Sequence, residues 1–122
     1  MKISVIMPIF NRGPRLKKSV DSILAQSYKD FELIIVNDGS TDDSEEIIKG
    51  YADPRIVYFK KGNGGQASAR NLGISHAKGI YIAYCDHDDL FHKEHLEKLS
   101  LYLDGHPDVD VVSICVRVPA HH

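Results

Sequence analysis

Short apolar runs alternate along the chain with segments in which apolar residues recur every three or four positions. The runs predict strands at Ile3–Met7, Phe31–Val36, Arg55–Lys60, Ile80–Tyr84 and Val109–Val118. The helical spacing predicts helices at about 14–26, from Thr41 or Asp42 to about Gly50, at Gln66–His76 and at about 92–103. This alternation is typical of an α/β fold with a Rossmann-like, mostly parallel sheet and helices on both of its faces.

Turn-forming and capping residues mark where the predicted elements end. We expect Pro8 to end the first strand, and the segment Asn37-Asp38-Gly39-Ser40 to break the second. Asp42 or Thr41 is placed to cap the second helix. In the last helix, the residues at core spacing are Leu96, Leu99, Tyr102 and Leu103.

Size and composition indicate a single domain over residues 1–118 of a 122-residue chain, followed by a tail at 119–122. His121 and His122 in that tail resemble the remnant of a purification tag. The formal net charge of -2 argues against nucleic acid as a partner, and no apolar run reaches the length of a transmembrane segment. Cys85 and Cys115 are expected to be reduced, buried thiols, which favours a cytoplasmic location.

The carboxyl ends of the predicted strands are the expected place for a ligand, because parallel sheets bind ligands there. Four loops should therefore carry the chemistry: Pro8–Asn11, Asn37–Ser40, Lys60–Gly65 and Asp86–Asp89. Each of them contains the Asn, Asp or Gly residues that a ligand-facing loop needs. The sequence thus predicts one site at this edge of the sheet.

The acidic cluster Asp86-His87-Asp88-Asp89 places three carboxylates within four residues, directly after an apolar run. In an extended segment, Asp86 and Asp88 would point the same way, which suits shared coordination of a hard cation. Mg²⁺ and Mn²⁺ prefer oxygen ligands and use few protein carboxylates when phosphates complete the coordination. The simpler interpretation, that Asp88 or Asp89 caps the following helix, does not require three acids.

Two other kinds of site fit part of the sequence. The loop Gly62–Ala67 matches the dinucleotide pattern G-x-G-x-x-A, which favours an NAD-binding oxidoreductase. However, this loop follows the third predicted strand instead of the first, and a single ribose-binding acid leaves Asp88 and Asp89 without a role. A zinc site built on His87, His92 and His95 is the other alternative, although no further ligand has suitable spacing.

Single polar residues near the predicted edge have both a functional and a structural interpretation. Asp38 can accept a hydrogen bond from a nucleobase or ribose, or can simply belong to a turn. Arg70 can reach a pyrophosphate or an acid of the cluster, or can form a surface ion pair of little energetic value. Four basic residues near the first helix are interpreted as its solvated face: Arg12, Arg15, Lys17 and Lys18.

Four motifs together resemble the family 2 glycosyltransferases of the A-type (GT-A) fold. They are Ser4–Asn11, Val36–Asp42, Asn63–Gly65 with Ala69–Gly73, and Asp86–Asp89. They occur in the family's order and spacing and cover residues 1 to about 115. The resemblance implies a nucleotide-sugar donor, usually a UDP-sugar, and Mg²⁺ or Mn²⁺ as cofactor.

The resemblance also implies roles for individual residues. The loop lining the nucleotide pocket would consist of Pro8, Ile9, Phe10 and Asn11. Asp38 would contact the base, and Arg70 would approach the base or the diphosphate. Asp86 would bind the ribose or help to hold the metal, and Asp88 would be the metal ligand.

The implied reaction transfers the sugar with inversion to an acceptor, which we expect to be a saccharide or a lipid-linked saccharide. In the family, a second half with the catalytic carboxylate follows the last strand, whereas this chain stops at His122. We therefore expect an N-terminal fragment that is inactive alone and that reaches the membrane only peripherally, through missing segments. The alternative is a non-catalytic module that self-associates, for example as a homodimer, along the sheet edge at Val109–Val118.

Overall fold

The computed structural model describes residues 3–85 and 90–106. The elements within these ranges are β1 (Ile3–Ile9), α1 (Arg15–Leu24), β2 (Phe31–Asp38), α2 (Ser44–Lys49), β3 (Ile56–Lys61), α3 (Gln66–Ser75), β4 (Tyr81–Tyr84) and α4 (His95–Asp104). Eight of the nine predicted elements are thus confirmed as to type and order. The predicted strand Val109–Val118 and the acidic cluster Asp86–Asp89 lie outside the described residues.

The described strands form one parallel sheet in the order β3-β2-β1-β4. Val5 of β1 lies in register with Leu33 on one side and with Ala83 on the other, so β1 is a central strand. The chain moves from β1 outward to β3 and then crosses back to β4 beyond β1. Connections between parallel strands are right-handed. Because the connection from β3 to β4 runs across the sheet in the opposite direction to the two before it, α3 lies on the opposite face from α1 and α2.

Both faces of the sheet are covered, which explains why the strands are continuously apolar instead of alternating. One face packs residues such as Val5 and Leu33 against α1, α2 and α4. The other face packs Ile6 and Ile34 against α3. Gly73 lets α3 approach closely, since a Cβ atom there would lie 2.8 Å from Cγ2 of Ile6. The α/β class and the coverage of both faces are therefore confirmed.

Strands β1 and β2 each continue two residues beyond their predicted ends, and β3 continues one. β1 passes through Pro8 to Ile9, which corrects the expectation that Pro8 ends it. The carbonyl of Ile6 accepts a hydrogen bond from the backbone N–H of Cys85, so the backbone groups of Ile6 face β4. The backbone nitrogen of Pro8, two residues later, faces the same side, where the paired residues of β4 have already ended. The missing N–H of Pro8 therefore interrupts no ladder. β2 likewise continues to Asp38, because that residue still pairs with Lys61 of β3.

The helices depart from prediction mainly at their ends. The N-cap position of α2 is occupied by Asp43, which corrects the predicted cap at Asp42 or Thr41, although Asp42 Oδ1 accepts a hydrogen bond of 3.0 Å from the backbone N–H of Ser44, the first residue of α2. Thr41 instead donates its backbone N–H to Asn11. In α4, the predicted core residue Tyr102 is 51% exposed and stacks on the ring of His106, one turn further along the helix. The other three predicted core positions of α4 are buried.

A buried carboxylate anchors the beginning of β4, at the end of the sheet opposite the predicted site. Glu32 Oε2 accepts hydrogen bonds from the hydroxyl of Ser4 (2.6 Å) and from the backbone N–H of Lys78 (2.7 Å). Ser4 Oγ in turn accepts a bond from the N–H of Gly79. These contacts hold the turn between α3 and β4, and so fix the strand that leads towards the acidic cluster. In the part of the chain that the structure describes, no helix is long and apolar enough to cross a membrane.

Candidate functional site at the carboxyl edge of the sheet

A cavity of about 400 Å³ opens at the carboxyl edge of the sheet. Three of the four predicted loops contribute to its wall, and the fourth lies outside the described residues. The lining residues are Pro8, Ile9, Phe10, Arg12, Arg15, Asp38, Asn63, Gly65 and Gln66. Its volume lies within the range of small-molecule sites, and its position is the one expected for a parallel sheet.

Asp38, the last residue of β2, lies in the wall of this cavity, and its carboxylate accepts three hydrogen bonds. It is only 5% exposed. Its Oδ1 accepts hydrogen bonds from Lys61 Nζ (2.8 Å) and from the backbone N–H of Gly64 (2.9 Å). Its Oδ2 accepts one from the N–H of Gly65, also at 2.9 Å. One carboxylate therefore holds the end of β3 and the whole glycine loop against β2.

The same contacts determine the charge of Asp38. Burial acts to raise the pKa of this carboxyl group, but the hydrogen bonds from Lys61, Gly64 and Gly65 outweigh burial and lower the pKa below its ordinary value of 3.8. Asp38 is consequently ionised at neutral pH and presents a negatively charged acceptor to the cavity.

The loops after β2 and β3 interlock through a close backbone approach at Gly39. Gly39 has a φ of 78°, and a Cβ atom there would lie 2.7 Å from the backbone nitrogen of Asn63. Asn63 also donates its side-chain amide to the carbonyl of Asp38 (3.2 Å). A glycine is therefore required at position 39, both for its backbone conformation and for the space that its neighbour occupies.

Asn11 connects the loops after β1 and β2. Its backbone, with a φ of 49°, donates its N–H to Ser40 Oγ (3.0 Å), and its Oδ1 accepts a bond from the N–H of Thr41 (2.8 Å). The three residues before it, Pro8, Ile9 and Phe10, line the cavity, but Asn11 does not. Its predicted part in a nucleotide pocket remains a prediction, and its observed contacts hold the pocket loop in place.

Phe10 gives the cavity an aromatic surface at its mouth. Pro8 and Ile9 are buried as the end of β1, whereas Phe10 is 47% exposed although it is large and apolar. Exposed aromatic rings beside a polar cavity can stack on the flat face of a heterocycle. The position of Phe10 therefore suits contact with a nucleobase.

Arg12 contradicts the interpretation of the basic cluster as a solvated helix face, whereas Arg15, the first residue of α1, is exposed as that interpretation predicts. Arg12 is only 8% exposed, and both arginines line the cavity. The backbone N–H of Arg12 donates to the buried Ser44 Oγ at 3.0 Å. Arg12 follows β1 almost directly and precedes α1, which places it at the ligand edge and not on the helix. Lys17 and Lys18, which lie within α1, are exposed as predicted.

Arg70 lies on α3 and faces the end of β4. Its guanidinium carbon is 5.5 Å from the centroid of the Tyr84 ring, within the range of a cation–π contact. Tyr84 is the last residue of β4, two positions before the acidic cluster. Arg70 is partly buried and is not among the residues that line the cavity, so its contact with a base or diphosphate remains a prediction.

The chain is anchored on both sides of the acidic cluster, whose members Asp86 and Asp88 lie outside the described residues. Before the cluster, the N–H of Cys85 donates to the carbonyl of Ile6 at 2.9 Å. After it, the N–H of Phe91 donates to Ser22 Oγ on α1 at 3.1 Å. Both anchors belong to elements that also carry the cavity.

Gln26 strengthens the second anchor. Its side chain is fully buried, and its amide donates to the carbonyl of His92 (2.6 Å) while its Oε1 accepts a bond from the N–H of Leu96 (2.9 Å). The N–H of Leu96 belongs to the first turn of α4, where no helical carbonyl can satisfy it. Gln26 therefore ties the start of α4 to the end of α1.

The histidines proposed as zinc ligands have different surroundings. His92 is exposed, whereas His95 is buried with its ring centroid 4.6 Å from that of Phe91. Within residues 3–85 and 90–106, no three His, Cys, Asp or Glu side chains come together as a metal-binding group. His87 and the acidic cluster lie outside these ranges.

Comparison with known proteins identifies the family. The model of the family described as "Glycosyl transferase family 2" matches residues 4–121. The chain belongs to glycosyltransferase family 2. An uncharacterized glycosyltransferase of Rickettsia bellii is 52% identical over 97 residues, which are 79% of this chain and 14% of that protein. The minor teichoic acid biosynthesis protein GgaB of Bacillus subtilis is 44% identical over 117 residues, covering 91% of this chain and 13% of GgaB.

Solved structures confirm the GT-A fold. S. aureus TarS 1–349 in complex with UDP-GlcNAc has a TM-score of 0.83 at 29% identity, covering 88% of this chain and 32% of that chain. The mannosyltransferase PcManGT of Pyrobaculum calidifontis, in complex with GDP-Man and Mn²⁺, has a TM-score of 0.78 at 25% identity, covering 84% and 32%. The chain spans 13% to 35% of the length of the curated relatives named here and of Rickettsia typhi RT0329. It therefore corresponds to one part of these longer proteins.

Membership of family 2 decides against an NAD-binding oxidoreductase, and the glycine loop agrees with this. In dinucleotide-binding proteins, the backbone N–H groups of such a loop face a pyrophosphate. Here the N–H groups of Gly64 and Gly65 donate to the carboxylate of Asp38. The N–H groups of this loop thus bind the carboxylate of Asp38, where those of a dinucleotide-binding loop would bind a phosphate.

Proposed function

We propose that this chain is the donor-binding part of an inverting glycosyltransferase and that the nucleotide of a UDP-sugar occupies the cavity at the carboxyl edge of the sheet. The observation that carries the proposal is the make-up of this one cavity. It combines an exposed aromatic ring (Phe10), an ionised acceptor (Asp38) and two guanidinium groups (Arg12 and Arg15). A nucleoside diphosphate has a matching flat base, a polar base edge and negatively charged phosphates.

The base binds at the Asp38 end of the cavity in this proposal. The uracil ring carries one N–H, at N3, between two carbonyl groups, and a carboxylate accepts a hydrogen bond from it. Phe10 contributes an apolar surface for the ring, and Pro8 and Ile9 form the buried floor. Base stacking of this kind contributes about 1–3 kcal/mol.

The diphosphate lies towards the arginines. Arg12 and Arg15 bring two positive charges to the cavity wall, while the charge of Asp38 is offset by the adjacent Lys61. Guanidinium groups bind phosphates through charge-assisted hydrogen bonds. Arg70, on α3, supplies a third cation near the end of β4, where we propose that it approaches the base or the diphosphate.

Asp86 and Asp88 would hold a divalent cation beside the diphosphate. Their carboxylate oxygens are the donor type that Mg²⁺ and Mn²⁺ prefer, and the adjacent backbone is held by Cys85 on one side. The solved relative PcManGT contains Mn²⁺ together with its GDP-sugar. Bound in this way, the cation supplies Lewis-acid stabilisation of the departing diphosphate. Asp86 can also bind the ribose of the donor.

Sugar transfer also needs an acceptor and a general base. Inversion requires attack on the anomeric carbon from the face opposite the diphosphate, with a base taking the proton of the attacking hydroxyl. We assign no described residue to this role. The relatives are several times longer than the matched segment, which supports placing the base and the site for a saccharide or lipid-linked saccharide in a further part of the whole protein.

Calorimetric titration with UDP tests the proposed function. We expect UDP to bind in the presence of Mn²⁺, to bind much more weakly after chelation with EDTA, and NAD not to bind in either condition. Circular dichroism on the same sample establishes that the protein is folded. Absence of UDP binding by the folded protein in the presence of Mn²⁺ would contradict the proposal.

A further inference from the structure

The carboxylate of Asp38 has little remaining capacity to accept hydrogen bonds. A carboxylate oxygen accepts about two hydrogen bonds, so the whole group accepts about four. Oδ1 already accepts from Lys61 Nζ and from the N–H of Gly64, and Oδ2 accepts from the N–H of Gly65. Within the described ranges, these contacts leave room for one further hydrogen bond, and that room is on Oδ2.

Lys61 donates a hydrogen bond to Oδ1 of Asp38 but is not needed to hold the glycine loop in its conformation. The N–H groups of Gly64 and Gly65 tie the loop to Asp38 by themselves, and Nζ of Lys61 is held in place by a second bond of 2.7 Å to the carbonyl of Gly62. Lys61 is not among the residues that line the cavity, so it acts on a ligand only through Asp38.

We propose that Lys61 is a specificity-determining residue that makes the site select uracil over guanine by occupying Oδ1 of Asp38. This proposal rests on the proposed function, in which Asp38 binds the base of the donor. Uracil presents one N–H on its pairing edge and needs one acceptor, which Oδ2 provides. Guanine presents two neighbouring N–H groups, at N1 and N2, which pair with both oxygens of a carboxylate.

The cost of binding guanine at this site follows from the missing acceptor. Because Oδ1 is saturated by Lys61 and Gly64, one N–H of guanine would be buried without a partner. Sites that leave a polar group of the ligand unpaired discriminate strongly against that ligand. Removing the ammonium group frees one acceptor position on Oδ1, so guanine gains a hydrogen bond while uracil gains none.

The experiment compares UDP and GDP titrations, each with Mn²⁺, across the wild-type protein and three variants. Lys61→Met removes the donor but keeps a long apolar side chain, and Lys61→Arg restores a cationic donor. Lys60→Met is the matched control, because Lys60 is the adjacent residue of β3, is 57% exposed and pairs with Glu45 outside the cavity. We expect Lys61→Met to reduce the preference for UDP over GDP by about tenfold, the effect of one hydrogen bond to a charged group.

The outcomes separate this inference from the proposed function. The inference is supported if Lys61→Met loses the preference for UDP while Lys61→Arg and Lys60→Met retain it. Equal weakening of both nucleotides in Lys61→Met, or an unchanged preference, overturns it and leaves Lys61 as a loop anchor. Wild-type protein that binds GDP as tightly as UDP overturns it without any variant. If wild-type protein binds neither nucleotide, the proposed function itself fails.

Discussion

Replacing Asp38 by alanine is expected to weaken UDP binding by at least about 100-fold, because two contributions are lost together. The first is the acceptor for the N–H of uracil. The second is the anchor of the glycine loop, since Lys61, Gly64 and Gly65 all donate to this one carboxylate. Isothermal calorimetry with UDP and Mn²⁺ measures the loss directly.

The same substitution is expected to lower the free energy of unfolding by about 1–3 kcal/mol, because it leaves buried donors without an acceptor. The pKa of Asp38 is lowered in the folded protein, so its contribution to stability is present above the ordinary value of 3.8. That contribution is lost as the pH falls from this value through the lowered pKa. The difference in stability between wild type and Asp38→Ala should therefore be constant near neutral pH and should shrink in strong acid.

Asp53→Ala provides a matched control for Asp38→Ala. Asp53 is also a hydrogen-bonded carboxylate paired with a cation, since it accepts bonds from Arg55 Nε (3.0 Å) and Nη2 (2.7 Å). It lies before β3, at the end of the sheet opposite the cavity. We expect Asp53→Ala to lose stability but to bind UDP like the wild type. Equal UDP affinity in Asp38→Ala and Asp53→Ala would remove Asp38 from the base site.

Replacing Asp88 by alanine is expected to abolish the part of UDP binding that depends on metal. Asp86 and Asp88 would hold Mn²⁺ in the proposed site, and the metal would stabilise the charge of the diphosphate, so loss of one ligand should reduce UDP affinity by about 10- to 100-fold in Mn²⁺. In EDTA, the variant and the wild type should bind UDP equally weakly. Paired calorimetric titrations in Mn²⁺ and in EDTA measure both quantities.

Glu97→Ala serves as the control for Asp88→Ala. Glu97 is an exposed carboxylate on the nearby helix α4, and its Oε2 accepts a bond from the hydroxyl of Ser27 (3.0 Å). Its removal should leave the response to Mn²⁺ unchanged. An Asp88→Ala protein that still binds UDP more tightly in Mn²⁺ than in EDTA, to the same degree as the wild type, would show that another residue holds the metal.

The order and type of the described elements could be predicted from the sequence because both faces of the sheet are buried. Continuous apolar strands such as that around Ile34 differ clearly in period from amphipathic helices such as that around Val20. The strand ends could not be predicted in the same way. Whether Pro8 interrupts a strand depends on which neighbour its nitrogen faces, and β2 reaches Asp38 only because Lys61 of β3 still pairs with it.

The place of the candidate site could be predicted from the topology, but its polar contacts could not. The loops that begin at Pro8, Asn37 and Lys60 do meet at one edge, as strand order requires. The bonds from Lys61 and from two glycine N–H groups to Asp38 depend on the tertiary approach of two loops, which no local pattern encodes. The prediction for Arg12 is wrong because a basic cluster usually belongs to a solvated face, whereas this arginine precedes the helix and is buried.

A crystal structure of the protein with UDP and Mn²⁺ tests the central claim most directly. We expect the uracil ring to lie beside Phe10 with N3 within hydrogen-bond distance of Oδ2 of Asp38, and the diphosphate to extend towards the arginines of the cavity. Uracil bound elsewhere, or a diphosphate resting on the N–H groups of Gly64 and Gly65 in place of Asp38, would contradict it.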